Sequence, residues 1–274
     1  MLADVYIKMF DVGIIGGGFV GRATSLLENE NIKVSIYDTD KSRCVPESTT
    51  LDDIIKKEIV FICVPTPCYE TTKECDTSIV ENVIKELRAN DYKGFIVVRS
   101  TVSIGFCKEW KVYFMPEFLT EKNWEYDFIN CKSWIVGSDG EERFIDYITQ
   151  LLKSSSVLNG DKVDFVTTDT AEYIKYFRNC FLSVKVSFAN EMYDLASKLN
   201  IDYNSAKDLV SLDDRIGPSH LSVPGPDGYR GFGGHCFPKD MNALRCQFFK
   251  NGIRCDVISA AIKRNIELDR GFRD

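Results

Sequence analysis

The sequence is poor in residues that bind metals, and its cysteines are not spaced for a metal site. It has two histidines, and none of its ten cysteines belongs to a C-x-x-C pair. Zinc sites usually combine closely spaced cysteines with histidines. We therefore predict no metal, and we expect most of the thiols to be reduced packing residues.

Long apolar runs and an excess of basic residues are also missing. No stretch approaches the roughly 20 apolar residues that a membrane-spanning helix needs. The amino-terminal stretch MLADVYIKMF carries charges where a signal peptide would be apolar. A net charge of −7 argues against a nucleic-acid-binding domain, which is usually basic. We expect a cytoplasmic protein that acts on small molecules, with neither nucleic acid nor a membrane as its partner.

Short apolar runs alternate with amphipathic stretches through the first half of the chain. The predicted strands are DVGIIG, KVSIYD, EIVFICV, GFIVVRS, KVYFMP, SWIVGS and KVDFVT. The helical stretches between them include SLLEN, SIVENVIKELRAN and EERFIDYITQLLKS. This alternation predicts an α/β fold with a parallel sheet covered on both faces. We predict a Rossmann-like dinucleotide-binding domain over residues 1–168.

The pattern changes after Thr168, where about thirty residues have helical periodicity and contain no proline or glycine. This predicts one long helix, with a capping box of Asp169 and Glu172 that places its start near Thr170. Further helices are predicted for YNSAKDLVSL, DMNALRCQFFK and VISAAIKRNIELD. We therefore predict an all-helical central domain over residues 169–274.

The stretch GGGFVG, residues 16–21, fits the G-x-G-x-x-G pattern of a dinucleotide-binding turn between a strand and a helix. The next strand ends in Asp38, where a carboxylate can accept hydrogen bonds from the adenosine ribose and repel a 2'-phosphate. Together these features predict NAD as the cofactor, although Lys41 and Arg43 keep NADP as an alternative. The predicted contacts from the glycine turn are Gly16, Gly18, Phe19, Val20 and Gly21.

Polar residues follow three later strands at the edge where ligands bind to open parallel sheets. Thr66 lies in CVPTP and Thr101 in RSTVSIG, and each is either a ligand contact or a helix cap. Glu117 and Glu121 lie in PEFLTE, where two carboxylates could order water or bind sugar hydroxyls. The alternative for Glu121 is a cap on the next helix.

Lys175 and Asn179 lie four residues apart on the long helix and therefore share one face. A partly desolvated lysine can act as an acid or a base, and an amide can orient an oxygen. The alternative is an ordinary solvated face.

Cys236 lies in GFGGHCFPKD, at the end of a loop dense in glycine and proline. Such a loop is typical of an active site. The helix predicted after Phe237 and Pro238 would place its positive end at the thiol, and Lys239 adds charge, so both favour the thiolate. Glycines such as Gly233 permit close approach by a substrate. We predict that Cys236 is a nucleophile next to a nicotinamide.

The motifs GGGFVG, VPTP, RSTVSIG, PEFLTE, AEYIKYFRN, DDRIG and GFGGHCFPKD, in this order, resemble the UDP-glucose 6-dehydrogenase family of nucleotide-sugar dehydrogenases. The resemblance extends over nearly the whole chain. It implies oxidation of a sugar C6 alcohol to a carboxylate with two NAD molecules, through a thiohemiacetal and a thioester on Cys236. It also implies a homodimer formed through the long helix.

The resemblance further implies a role for each matching residue. Lys175 would handle the alcohol proton and the oxyanion, with Asn179 beside it, and Arg215 would contact the UDP-sugar. The residues implied to position water, substrate and nicotinamide are Asp240, Thr101, Glu117 and Glu121. The implied cofactor contacts beyond the glycine turn are Asp38, Arg43, Thr66, Thr101, Glu121 and Lys239. The implied substrate contacts are Glu117, Lys175, Asn179, Arg215 and Gly233.

Family members usually continue into a second α/β domain that holds much of the uridine diphosphate, whereas this sequence stops at Asp274. The GHC triplet also occurs in relatives that act on N-acetylated sugars, while PKD favours glucose. Two other functions stay open. One is a 3-hydroxyacid dehydrogenase, which needs no cysteine nucleophile, and the other is a non-catalytic nucleotide-binding dimer module.

Overall fold

The computed structural model describes residues 9–155, 157 and 162–271. The charged residues 1–8, which argue against a signal peptide, lie outside the described residues. The chain divides into two compact units. The first unit comprises Met1–Pro67 and Asp76–Lys175, and the second comprises Cys68–Cys75 and Tyr176–Asp274.

Seven strands of the described residues form one sheet in the first unit. They are β1 Phe10–Ile15, β2 Ile32–Tyr37, β3 Ile59–Ile62, β4 Phe95–Val98, β5 Tyr113–Phe114, β6 Ser133–Gly137 and β7 Lys162–Val166. Their order across the sheet is β2-β1-β3-β4-β5-β6-β7. Each predicted strand is therefore present, and the α/β fold class is confirmed.

One pairing in the sheet differs from the predicted parallel arrangement. β6 runs antiparallel to β5, with Phe114 opposite Gly137, whereas every other neighbouring pair is parallel. A strand's direction depends on where its connection crosses the sheet. The alternation of strands and helices in the sequence does not specify that path, so the prediction of a wholly parallel sheet was wrong.

The central strands are apolar because both faces of the sheet are covered. On β3, Ile59 and Phe61 belong to one hydrophobic cluster, and Val60 and Ile62 belong to the other. Successive side chains of a strand point to opposite faces, so a continuous apolar run supplies both cores.

The described residues contain ten α-helices. They are α1 Phe19–Ser25, α2 Leu51–Ile54, α3 Ser78–Ala89, α4 Phe106–Glu109, α5 Trp124–Ile129, α6 Glu142–Ser154, α7 Thr168–Lys198, α8 Tyr203–Val210, α9 Phe237–Lys250 and α10 Asp256–Arg264, which continues into a π-helical turn, Asn265–Asp269. From α3 onward, every helix that the sequence predicted is present in the structure. The predicted helical stretch SLLEN was largely wrong, because α1 ends at Ser25. No helix in the described ranges combines the length and the apolar character needed to cross a membrane.

The long helix α7 begins at Thr168, two residues before the predicted start. The backbone N–H and Oγ1 of Thr168 both donate to the carboxylate of Asp139, at 2.9 Å. Glu172 accepts instead from the backbone N–H groups of Gly105 and Cys107, at 2.6 and 2.8 Å. The predicted capping box was therefore wrong, because carboxylates and amides distant in sequence supply these hydrogen bonds.

In the second unit, two amides anchor the glycine-rich loop that precedes α9. Asn265 accepts from the N–H of Phe232 at 2.8 Å and donates to its carbonyl at 3.0 Å. Asn190 on α7 accepts from the N–H of Gly231 at 3.2 Å. Because these partners lie on α7 and on the π-helical turn, the helices hold the loop in place.

Candidate functional site

The glycine turn of the first unit lies between β1 and α1, as predicted. Gly16 has φ +105°, a conformation that L side chains rarely adopt. A β-carbon on Gly21 would collide with the carbonyl oxygen of Gly16. Gly18 precedes α1, and a β-carbon there would meet nothing within 4 Å. The turn therefore needs glycine for its own geometry and leaves the Gly18 side open.

Asp38 follows β2 and is bound to the same turn. Its Oδ2 accepts from the backbone N–H of Gly17 at 2.7 Å, and its Oδ1 accepts from the N–H of Asp40 at 2.9 Å. Ionised carboxylate oxygens accept more than one hydrogen bond each. The aspartate can therefore hold the turn and still accept hydrogen bonds from ribose hydroxyls. Arg43, a predicted cofactor contact, is exposed and forms an ion pair with Asp40 at 3.4 Å.

The ends of β3 and β4 are linked through Ser100. Its Oγ donates to the carbonyls of Val64 and Ile62, at 2.7 and 3.3 Å. Thr66 is buried in the segment after β3, and Thr101 is half-buried in the segment after β4. Both threonines therefore follow adjacent parallel strands at one edge of the sheet, where Gly16 and Asp38 also lie.

Lys175 and Glu117 form a buried ion pair in the first unit. The Nζ of Lys175 donates to Oε1 of Glu117 and to its backbone carbonyl, both at 2.5 Å. The Oε2 of Glu117 accepts from the N–H of Leu119 at 2.8 Å. Burial alone would raise the pKa of Glu117, but the charge and hydrogen bond of Lys175 outweigh it and hold that pKa below its usual value. The protonated amine of Lys175 is thus held by two acceptors, the carboxylate and the carbonyl oxygen of Glu117.

Arg99 is a member of this cluster that the sequence motifs did not indicate. Its side chain is 2% exposed, and among the described residues its Nε and Nη1 have no hydrogen-bond partner. Burial lowers the pKa of Arg99, and its positive charge helps to lower the pKa of Glu117. Its sequence signal is an arginine directly after the apolar strand FIVV, where a solvated charge would not be expected. The ionised form of Glu117 is therefore stabilised by two buried cations.

Glu172 is a second buried acid that was not predicted as a site residue. Burial raises its pKa to about 7, although the N–H donors of Cys107 and Gly105 oppose this shift. Because this pKa is raised above the ordinary 4.5, the folded state binds the proton more tightly than the unfolded state does. The stabilisation is complete below the unfolded pKa and is lost as pH rises through about 7.

We therefore expect Glu172 to lower the free energy of unfolding by up to about 3 kcal/mol between acidic and neutral pH. Urea unfolding across that pH range gives the free energy of unfolding of the natural chain and of Glu172→Gln. The difference between the slopes of this free energy against pH measures the contribution of Glu172. The same slope in the variant and in the natural chain would show that folding does not shift the pKa of Glu172. Acids with lowered pKa values, such as Glu117, change stability with pH in the opposite direction. Because they are present in both proteins, their contribution cancels in the comparison.

In the second unit, Asn179 and Lys239 converge on Asp240. The Nδ2 of Asn179 donates to Oδ2 of Asp240 at 2.6 Å, and the Nζ of Lys239 donates to Oδ1 at 2.7 Å. Asp240 has no exposed surface. Burial opposes the charge of Lys239, but Asp240 and the thiols of Cys75 and Cys236 raise its pKa overall. Lys239 is therefore a firmly protonated cation beside Cys236.

Cys236 is the residue directly before α9, and Pro238 lies in the first turn of that helix. The carbonyl of Cys236 accepts from the N–H of Asp240 at 2.9 Å, so the helical hydrogen bonds begin at the cysteine. The thiol residue is half-buried. The positive end of the helix thus lies at Cys236. This is the position at which the sequence predicted an activated thiol.

Three other predicted site residues have different surroundings. Arg215 is exposed and is paired with Asp213 two residues away, through Nε at 2.9 Å. Gly233 packs against the guanidinium group of Arg270. Glu121 is exposed in the turn before α5, whose N-cap position is Asn123. The alternative of Glu121 as that N-cap was therefore wrong, while its role as a ligand contact stays a prediction.

Comparison with known proteins finds two domain models of one family that match this chain. The family model for the NAD binding domain of the UDP-glucose/GDP-mannose dehydrogenase family matches residues 47–154, and that for the central domain matches residues 169–267. The UDP-glucose 6-dehydrogenase of Rickettsia felis is 31% identical over 93% of this chain and 62% of its own length. The chain thus spans less than two thirds of that relative.

Solved structures share the fold. A UDP-glucose dehydrogenase from the archaeon Pyrobaculum islandicum superimposes with a TM-score of 0.83 at 24% identity, over 97% of this chain and 70% of that one. The 3-hydroxyisobutyrate dehydrogenase of Mycobacterium tuberculosis gives 0.70 at 16% identity, over 93% and 92%. Both likenesses concern the fold alone. The two family models nevertheless match most of the chain, which therefore belongs to the UDP-glucose/GDP-mannose dehydrogenase family and contains its NAD-binding and central domains.

Proposed function

We propose that the chain catalyses, or forms the catalytic part of an enzyme that catalyses, NAD-dependent oxidation of a UDP-sugar C6 alcohol to the carboxylate. The observation that carries this proposal is the position of Cys236, a thiol at the start of α9 beside protonated Lys239 and buried Asp240. A dehydrogenase that stops at a ketone or an aldehyde needs no such nucleophile. Oxidation to an acid does, because covalent capture turns the aldehyde carbon into a hydride donor again.

The first unit supplies residues that fit a dinucleotide. Gly16, Gly18 and Gly21 form the turn, Asp38 would accept from the adenosine ribose, and Thr66 and Thr101 follow adjacent strands at the same edge. The carboxylate of Asp38 favours NAD over NADP, because a 2'-phosphate there would meet a negative charge. NAD, when bound, accepts the hydride that the substrate carbon loses in each of the two oxidations.

Lys175 is the proposed proton carrier for the alcohol. Its ammonium group is held by the carboxylate and carbonyl of Glu117, so a proton taken up at Nζ can be stabilised there. The positive charge would also stabilise an oxyanion that forms on the substrate. Asn179 and Asp240 are proposed to orient substrate oxygens or water, because their hydrogen bond fixes the direction of both side chains.

Cys236 is the proposed nucleophile of the second oxidation. Its sulfur adds to the aldehyde carbon to give a thiohemiacetal, which loses a hydride to become a thioester. Water then adds to the thioester carbon, the carbon–sulfur bond breaks, and the thiol is released with the carboxylate. Protonated Lys239 favours the thiolate at both the addition and the release.

UDP-glucose is the proposed substrate, with UDP-glucuronate as its product. The relative from Rickettsia felis is named for UDP-glucose, and the PKD after Cys236 points the same way. Arg215 is exposed enough to meet a negatively charged ligand and is proposed to contact the nucleotide sugar.

A homodimer through α7 is also proposed. Large apolar side chains form an exposed stripe along this helix at spacings of three, four and seven residues, namely Phe177, Phe181, Phe188, Met192 and Leu195, and Leu199 continues it directly after the helix ends. A row of this kind usually marks an interaction surface. A monomer mass in sedimentation equilibrium would contradict the dimer.

Measuring NADH formation tests the proposed reaction. With UDP-glucose and NAD, we expect two NADH per sugar oxidised, and the product should be the acid. One NADH per substrate with a 3-hydroxyacid, a class suggested by the fold of the Mycobacterium tuberculosis enzyme, would favour that alternative. No NADH with any of several UDP-sugars, but binding of NAD, would favour a non-catalytic dimer module.

A further inference from the structure

A short hairpin in the second unit brings two cysteines opposite each other. Cys68 and Cys75 form an isolated antiparallel bridge. On one side of this pair the N–H of Asp76 donates to the carbonyl of Pro67 at 2.7 Å. On the other side the N–H of Tyr69 donates to the carbonyl of Glu74 at 2.9 Å.

This hydrogen-bond pattern identifies the type of pair. The backbone groups of Cys68 and Cys75 do not bond to each other, because the bonds lie between their flanking residues. In such a non-hydrogen-bonded pair the Cα atoms are about 4.5 Å apart and the side chains are close. Disulfides span Cα separations of about 4.4 to 6.8 Å. The backbone is therefore already within the range for a bond between the two sulfur atoms.

Both thiols are reduced in the structure, and they differ in access. Cys75 is 8% exposed, whereas Cys68 is half-buried, and the tip of the hairpin from Tyr69 to Lys73 is exposed. The Sγ of Cys68 donates to the carbonyl of Lys239 at 3.5 Å. A small reagent would therefore reach Cys68 first, and Cys75 would then be the resolving thiol.

We propose that Cys68 and Cys75 are a modification site that forms a reversible disulfide by exchange with a low-molecular-weight disulfide such as oxidised glutathione. The thiolate of Cys68 attacks one glutathione sulfur, the bond between the glutathione sulfurs breaks, and the first glutathione leaves. The thiolate of Cys75 then attacks the Cys68 sulfur and displaces the second glutathione. Two protein thiols are oxidised, the reagent is reduced, and the two released protons end on the two glutathione thiols.

The surroundings predict a slow first step. Burial raises the pKa of the Cys68 thiol to about 11, the charge of Lys239 opposes this, and Cys75, Asp240 and Cys246 add to it. Little thiolate is present at neutral pH, so the exchange should become faster as the pH rises towards that value. The proposal does not depend on the enzymatic activity proposed above.

Cys246 provides a matched control within the same unit. It lies on α9 and its Sγ donates to the carbonyl of Thr72 at 3.2 Å, so it is close to the hairpin. It has no residue opposite it in a strand pair, because it lies within a helix. It is therefore a neighbouring thiol without the backbone geometry that we assign to Cys68 and Cys75.

Peptide mapping of the full chain tests the proposal. The reduced protein is incubated with oxidised glutathione at mildly alkaline pH, its free thiols are alkylated, and it is cleaved with trypsin after Lys73. We expect peptides 58–73 and 74–85 to be joined through Cys68 and Cys75, and the link to disappear with dithiothreitol. Cys68→Ser should abolish the link, whereas Cys246→Ser should preserve it.

Three results would overturn the proposal. They are a link from Cys68 to Cys246, a mixed disulfide on Cys68 that never resolves, and glutathione on other cysteines with no reaction at Cys68. The mapping of the natural chain is decisive even if a variant folds poorly, because it needs no substitution. A failure of the UDP-sugar assay leaves this result unaffected, so the two proposals are tested separately.

Discussion

Cys236→Ser is expected to lower the rate of acid formation from UDP-glucose by about a thousandfold or more, a loss typical of removing a covalent nucleophile. A serine hydroxyl stays protonated at neutral pH, and the field of α9 with the charge of Lys239 cannot ionise it as they can a thiol. Without the sulfur adduct the aldehyde carbon stays trigonal, and it releases a hydride only from a tetrahedral adduct whose oxygen can re-form a carbonyl. Acid formation should therefore fall further than NADH formation, because the first oxidation does not use the thiol.

The matched control for this substitution is Cys131→Ser. Cys131 is also half-buried, and it lies outside α9, where its Sγ donates to the carbonyl of Ser133 at 3.4 Å. We expect its activity to remain close to that of the natural chain. Undiminished acid formation by Cys236→Ser would refute the covalent mechanism.

A second readout is independent of turnover. The helix end and Lys239 should make Cys236 the thiol most reactive with iodoacetamide at neutral pH, since the thiolate is the reacting species. Mass mapping after a short exposure would identify the modified cysteine. Preferential labelling of another thiol would contradict the activation of Cys236.

Lys175→Met is expected to destabilise the fold by about 3–5 kcal/mol, because it leaves the buried Glu117 carboxylate without its ion-pair partner. Both side chains are at most 5% exposed, so water cannot replace the lost ammonium group without reorganisation. Methionine preserves most of the volume of lysine, which restricts the change to charge. Urea unfolding at neutral pH measures the loss.

The double variant Lys175→Met with Glu117→Gln separates the ion pair from packing. Its loss should be smaller than the sum of the two single losses, because the buried carboxylate is removed together with the ammonium group. Additive losses would show that the two groups do not interact. The positive charge of Arg99 remains in all three variants and so does not affect this comparison.

The contribution of Glu117 to the pH dependence of stability should also reverse in sign in Lys175→Met. In the natural chain the pKa of Glu117 is lowered, so its contribution to stability is present above the unfolded pKa and is lost as pH falls through the folded one. Without Lys175, burial becomes the dominant influence and should raise that pKa. The variant should then lose more stability than the natural chain as pH rises, which unfolding of both proteins at acidic and neutral pH would detect.

Local sequence patterns determined most of the elements that carry the site. The apolar runs predicted all seven strands of the sheet, and the periodicity after Thr168 predicted one long helix of about thirty residues, which is 31 residues long in the structure. The GGGFVG turn and the position of Cys236 before a helix were also predictable. In each case the signal depends on residues a few positions apart, because hydrophobic periodicity, backbone conformation and helix ends are local properties.

The tertiary structure alone decided which charged groups meet. Lys175 pairs with Glu117 across 58 positions, and Asn179 bonds Asp240 across 61. Nothing in the spacing of Lys175 and Asn179 on one helix indicated that they have different acidic partners. The direction of β6, the role of Asp139 at the start of α7 and the pairing of Cys68 with Cys75 were decided in the same way. Such contacts depend on the path of the chain between distant segments, and that path is set by packing of the whole core rather than by neighbouring residues.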